Sequence, residues 1–129
     1  MIDAINANPT GKYWNAIAPI TSTNELCDTG IVKCVVSVSH NVLYCARDLS
    51  HIVGSLALES VRKILGITGH SREGIQAYTT LPNTPLATSQ SIDQLRIIEH
   101  DLLLQGVHFS AGYPGINDCL LYTSDAADE

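Results

Sequence analysis

The sequence predicts an α/β fold built on a mixed sheet, and three observations carry that prediction. Two β-branched runs, residues 31 to 38 and 42 to 46, are separated only by Ser39, His40 and Asn41, which is a hairpin signal. Strand-like runs alternate with helix-start signals at Ser22, Ser71 and Ser91. Hydrophobic residues make up 45% of the 129 positions, enough to pack the core of one domain.

In chain order, IDAINAN (residues 2 to 8) reads as the end of a short helix and NPTG (8 to 11) as a turn, because Asn, Pro and Gly supply backbone geometries that stop regular structure. WNAIAPI (14 to 20) reads as a strand. Ser22 with Glu25 three residues on is a capping-box pair opening a short helix through Leu26. The hairpin strands carry Cys34 and Cys45, read as small buried hydrophobes in adjacent strands. Residues 47 to 58 show little periodicity and read as an irregular excursion. Residues 60 to 68 fit two templates: Val61, Ile64 and Leu65 suit a helix, while ILGIT suits a buried strand bounded by Gly69. Ser71, Glu73 and Gly74 open a helix through Tyr78 that stops near Pro82. Pro85 offers a start for the next helix, but the stronger signal is a Ser91–Gln94 capping box. Ile92, Leu95, Ile98 and Leu102 then recur at helical spacing, and Gly106 serves as the C-terminal glycine. VHFSA (107 to 111) follows as a strand and GYPG (112 to 115) as a turn.

Composition excludes several function classes. The net charge of −6 and seven scattered basic residues argue against a nucleic-acid binder, which needs clustered cations to displace counterions. No apolar run approaches the roughly 20 residues of a membrane span, and the first residues lack a signal-peptide pattern, so cytoplasm is the expected compartment. The four cysteines show no CxxC spacing and the five histidines no HxxxH or HExxH, so neither zinc nor a disulfide is expected. The GK of PTGKYW lacks the surrounding spacing of a phosphate loop. The ending CLLYTSDAADE (119 to 129) has no periodicity and looks like translated sequencing adapter, so residues 1 to 118 are expected to be the native portion and 119 to 129 a foreign tail. An ordinary acidic tail is the competing reading.

Read in order, API (18 to 20), GIVKCVV (30 to 36), VLYCARD (42 to 48), ILGITGH (64 to 70), LPNTPLATSQSIDQLR (81 to 96) and PGIND (114 to 118) resemble the C-terminal half of the 3-deoxy-manno-octulosonate (KDO) cytidylyltransferases. The proline loop leading into the acidic-Gln-Leu-Arg helix start is the most specific of these stretches. The resemblance implies the C-terminal half of a nucleotide-diphospho-sugar-transferase-like mixed sheet with a β-hairpin excursion. It also implies, for a full-length parent, transfer of CMP from CTP to KDO, giving CMP-KDO and pyrophosphate for lipopolysaccharide biosynthesis. Mg2+ as cofactor and a homodimer follow from the same likeness.

The resemblance carries site roles only where residues match. Arg47 resembles the arginine that closes the second hairpin strand beside the sugar pocket, against the competing reading of a solvated surface side chain. Gln94 matches the glutamine that contacts the sugar acid and Asp93 its acidic neighbour, while capping chemistry by Gln94 toward Ser91 is compatible with both. Asn117 stands where the second metal-binding aspartate is usual, with Asp118 one place on as substitute; an amide oxygen is the weaker Mg2+ ligand. In ILGITGH the family's histidine and flanking aromatics are replaced by Ile64, Thr68 and His70, which leaves the identity of the sugar acid open. His70 is either a donor to a sugar hydroxyl or a half-exposed histidine with no role. The nucleotide-holding half has no counterpart here, so the chain alone is expected to be inactive and to expose apolar surface. Two other readings stay open: a cytidylyltransferase for another acidic sugar, and a non-catalytic α/β module.

Overall fold

The computed structural model describes residues 1–52, 54 and 58–110. Helix α1 (Ile2–Ala7) leads into β1 (Tyr13–Pro19), and a 3-10 turn (Thr23–Leu26) precedes the hairpin β2 (Lys33–Val36) and β3 (Val42–Ala46). The ten-residue β4 (Val61–His70), helices α2 (Arg72–Tyr78), α3 (Pro85–Gln90) and α4 (Gln94–Glu99), and β5 (Leu104–His108) complete the described elements. The strands form one sheet in the order β3-β2-β4-β1-β5, with β5 parallel to β1 and the other pairs antiparallel, so the expected mixed α/β sheet is what forms.

The stretch that fitted both templates is the long strand β4. It lies between β1 and β2, and hydrogen bonding on both edges favours the extended form over a helix. The capping box at Ser22 is complete, the Ser22 side chain accepting from a backbone N–H of the 3-10 turn and Glu25 reaching back to the Ser22 N–H. Cys34 and Cys45 face each other across the hairpin as fully buried free thiols.

Three expectations at the boundaries need correction. The hairpin's first strand spans only Lys33–Val36, because the chain turns early: His40 adopts φ 66°, its N–H bonds to Ser37 O, and Val38 stands fully exposed. The helix pattern after Pro85 is broken in two. Ser91 is the C-cap of α3 in the left-handed region (φ 56°), so it cannot be the N-cap of the next helix; Asp93 takes that position. Pro at the first turn of α3 pre-sets its start. Glu99 from α4 accepts the backbone N–H groups of Leu86 and Ala87, satisfying that helix's open donors from outside.

Gly106 is the third correction. It belongs to β5, not to a helix end; α4 stops at His100, where Asp101 turns with φ 61°. The sheet curls until the hairpin tip meets β5: Asn41 bridges to Gln105 and the Gly106 N–H donates to His40 O at 2.8 Å. A Cβ at Gly106 would lie 2.6 Å from that carbonyl and 2.7 Å from Ile17 Cδ1, so only glycine allows the approach. The last strand accordingly begins at Leu104, buried beside Tyr13 in parallel register, three residues earlier than the pattern suggested.

The curl encloses the main core, in which Ile92, Leu95 and Ile97 of the α4 region pack on Tyr13, Ile17, Cys34, Val42, Cys45 and Leu104. A second cluster of Leu26, Ala46, Leu49 and Val61 ties the excursion after β3 to the sheet, with Leu49 N–H bonded to Leu26 O. Exposed apolar side chains remain at Val38, Leu43 and Tyr44 on the hairpin and at Ile67, Ile75, Leu86 and Leu103 elsewhere.

Candidate functional site

A polar residue in the middle of β1 organises the site. Asn15 is completely buried in an otherwise apolar strand, at a register shift where Asn15 pairs with Thr68 but Ile17 pairs with Ile64. The bulge frees Leu65 O, and the Asn15 Nδ2 group donates to it (3.0 Å) and to Ala16 O (2.9 Å). Two carbonyls can only face the N–H2 end of an amide, so Asn15 Oδ1 must point away from them. It accepts from Gln94 Nε2 at 3.1 Å. Gln94 thereby has one donor committed, and among the described residues its Oε1 and second N–H meet no partner.

Around that amide pair lies a cleft of about 210 Å³ lined by Asn15, Thr68, His70, Tyr78, Asp93, Gln94 and apolar neighbours. Four residues singled out from the sequence, Thr68, His70, Asp93 and Gln94, therefore converge, although 79 positions separate Gln94 from Asn15. Thr68 and His70 arrive on one face of β4 at a period of two, while Asp93 and Gln94 arrive at the start of α4. The His70 ring sits between Tyr13, edge-on at 5.7 Å, and Tyr78 at 6.1 Å. Burial raises the Tyr13 hydroxyl's pKa, as does neighbouring Tyr78, and the hydroxyl donates to Gly74 O at 2.8 Å. Capping of Ser91 by Gln94 does not occur; that glutamine's donor goes to Asn15.

Arg47 lies elsewhere. Its Nε donates to Gln90 O, its Nη2 to Ser91 O and its Nη1 to Thr29 O, at 2.9 to 3.0 Å, so the guanidinium clamps the C-terminal carbonyls of α3. Beside it Lys33 is fully buried, its ammonium donating to Asp28 O, Ile31 O and Arg47 O. Burial holds the Lys33 pKa below its usual value, opposed by the Asp28 and Asp48 charges. Asn117 and Asp118 lie outside the described residues. Among the described residues no three metal-ligating side chains gather.

Sequence reasoning missed three residues at the site: Asn15, Tyr78 and Arg96. Asn15 was readable as the one polar side chain within YWNAIAP. Arg96 stands three residues after Asp93, the N-cap of α4, which puts the two side chains on the same side of the helix start. It lines a second, more open recess of about 410 Å³ with Asn83, Ala87, Thr88, Ser91 and Asp93, and Asp93 is shared by the two cavities.

No family model matches the chain. Curated relatives do: it is 29% identical over 102 residues to the 3-deoxy-manno-octulosonate cytidylyltransferase of Protochlamydia amoebophila, covering 77% of this chain and 39% of the relative. It is 30% identical over 90 residues to the enzyme of the same name from Nitratiruptor sp., covering 70% and 37%. The chain thus spans about two fifths of the length of the curated relatives it matches. Among solved structures it is similar to a CMP:2-keto-3-deoxy-manno-octonic acid synthetase complexed with CTP, with TM-score 0.81 and 22% identity over 98% of this chain and 53% of that one. The fold is therefore that of the synthetase over roughly half of its length.

Proposed function

We propose that this chain is the sugar-acid-binding, C-terminal portion of a 3-deoxy-manno-octulosonate cytidylyltransferase, whose complete form transfers CMP from CTP to KDO and releases pyrophosphate. The observation that carries the proposal is the Asn15–Gln94 amide pair at the base of a cleft bordered by Thr68, His70 and Asp93, in a chain that aligns with those enzymes over most of its length. A pyranose acid presents several hydroxyls, each of which can donate and accept. The amide of Gln94, oriented by a buried partner, offers both functions in a fixed direction. Thr68 and His70 extend that polar wall along β4. No nucleotide-binding group is assigned within the described residues, so the chemical step belongs to the complete enzyme.

Mg2+ is proposed as the cofactor on the donor chemistry of Asn117 and Asp118 alone, since hard oxygen ligands suit that ion. The described residues hold no ligand cluster for it. A homodimer is proposed with the exposed apolar hairpin residues Val38, Leu43 and Tyr44 as support; among the described residues no helix is long and apolar enough to cross a membrane.

The test is a chimera in which this chain replaces the matched region of the Protochlamydia amoebophila relative, assayed for pyrophosphate release from CTP with KDO and with a panel of other 2-keto sugar acids. Turnover with KDO supports the proposal, and turnover confined to another acid in the panel redirects the substrate assignment. A folded, CTP-binding chimera that turns over none of them refutes it.

A further inference from the structure

We infer that Arg96 is the carboxylate receptor of this cleft, so that sugar acids are selected over neutral sugars by its guanidinium and not by that of Arg47. The inference rests on the reading above but adds to it the residue that reads the acid group. An arginine recognises a carboxylate only with donors it has not spent elsewhere. Arg47 has its Nε and one N–H of each terminal nitrogen tied to three backbone carbonyls, and, held there, it lines neither cavity; position, more than a lack of donors, sets it apart from the cleft. It acts as a positioning residue: by holding Gln90 O and Ser91 O it fixes the corner from which α4 starts.

Arg96 is in the opposite condition. Among the described residues its guanidinium makes no hydrogen bond, and Nε is buried without an acceptor. The nearest carboxylate, Asp93, keeps Oδ1 4.0 Å from Nη2, beyond hydrogen-bond reach. Tyr78 covers one face of the cation, with the Arg96 Cζ 5.1 Å from the ring centroid, and the Arg96 side chain is only 23% exposed. The result is a charge stripped of water on one side, held in place by an aromatic ring, and facing an open recess of ligand size.

The geometry of the two cavities fits one bound molecule. Arg96 faces the outer recess, Gln94 the inner cleft, and Asp93 borders both. A carboxylate paired with Arg96 leaves the attached hydroxyls facing the free Oε1 of Gln94. Asp93, with a side chain 81% exposed, turns aside from the incoming anion or accepts from a hydroxyl. Tyr78 links the two halves, since it stacks under Arg96 and lines the inner cleft.

The experiment titrates the 15N-labelled 129-residue chain with KDO and, separately, with its neutral carboxamide, following the Arg96 Nε–Hε resonance and the backbone amides. KDO is expected to move the Arg96 side-chain resonance and the carboxamide to leave it in place. Arg96→Gln is expected to weaken KDO binding about tenfold or more, the scale of a lost charge-assisted pair, without changing carboxamide binding. Arg96→Lys, which keeps charge and stem, recovers part of the loss. Unchanged KDO binding by Arg96→Gln, or equal loss of both ligands, overturns the inference while leaving the proposed function standing. A wild-type chain with a dispersed spectrum that binds neither ligand removes the proposed function, and the inference with it.

Discussion

Replacing Glu25 by Gln should destabilise the chain in a pH-dependent way. The Glu25 carboxylate accepts from Thr21 N–H (2.7 Å), Thr21 Oγ (2.9 Å), Ser22 N–H (3.1 Å) and Lys63 Nζ (2.7 Å). Burial alone would push its pKa up, but the Lys63 and Thr21 bonds outweigh burial and bring it from 4.5 down to about 2. At about 1.4 kcal/mol per pK unit, that displacement is worth ~3 kcal/mol at neutral pH, and the 16% exposure of the side chain trims it only modestly. The folded-state pKa is depressed, so the contribution is complete above pH 4.5 and is lost as pH falls toward 2. By linkage, roughly half or more is gone at pH 3.

Glu25→Gln removes the charge and leaves Lys63, 9% exposed, without its anion. Urea unfolding followed by far-UV circular dichroism should show the variant ~2–4 kcal/mol less stable at pH 7, with the gap to the wild type narrowing steadily between pH 5 and pH 3. A gap under about 0.5 kcal/mol at pH 7, the spread of an ordinary surface substitution, would refute the ion-pair assignment, as would a gap that stays constant with pH.

Other consequences can be checked with simpler measurements. Gly106→Ala should cost ~1–3 kcal/mol in urea unfolding, because a methyl group there meets His40 O and Ile17; unchanged stability would mean that the hairpin tip does not dock on β5. Thiol labelling of the folded chain should modify Cys27, which is exposed, and spare Cys34 and Cys45 until urea is added. Burial pushes the Cys34 thiol up to about 12 and raises Cys45 as well, so both remain protonated. In the chimera with the Protochlamydia relative, Gln94→Ala should raise the KM for the sugar acid by about tenfold while leaving the KM for CTP near its starting value, since on the proposed reading the groups lost, apart from the bond to Asn15, serve the sugar. Equal rises in both would assign Gln94 to support of α4. Asn15→Leu should give a similar sugar-acid defect, because Gln94 then loses the acceptor that orients it.

Much of the local structure was legible along the chain because short-range chemistry decides it. The Ser22–Glu25 pair closes as a capping box, Ser71 caps α2 by accepting from Gly74 N–H, and the two β-branched runs form the hairpin. The α3–α4 segment was misread because periodicity counts apolar residues without knowing backbone direction. Ile92, Leu95 and Ile97 are all buried, yet the left-handed turn at Ser91 and the brief α4 bury them as a corner rather than as one long stripe. Gly106 looked like a helix stop for the same reason, since a glycine marks either a turn or a close approach, and only the neighbouring chain distinguishes the two.

The sequence by itself determined that this is an α/β chain with a hairpin and that a polar Asp-Gln pair opens an apolar helix, because capping, β-branching and hydrophobic spacing act over a few residues. Only the tertiary structure decided which groups stand across from that pair. Asn15 meets Gln94 because a bulge between β1 and β4 turns one buried amide outward, and Arg47 is tied to backbone carbonyls while Arg96, among the described residues, is bonded to none. Those are relations between residues up to 79 positions apart, and their geometry is set by the sheet order that brings them together.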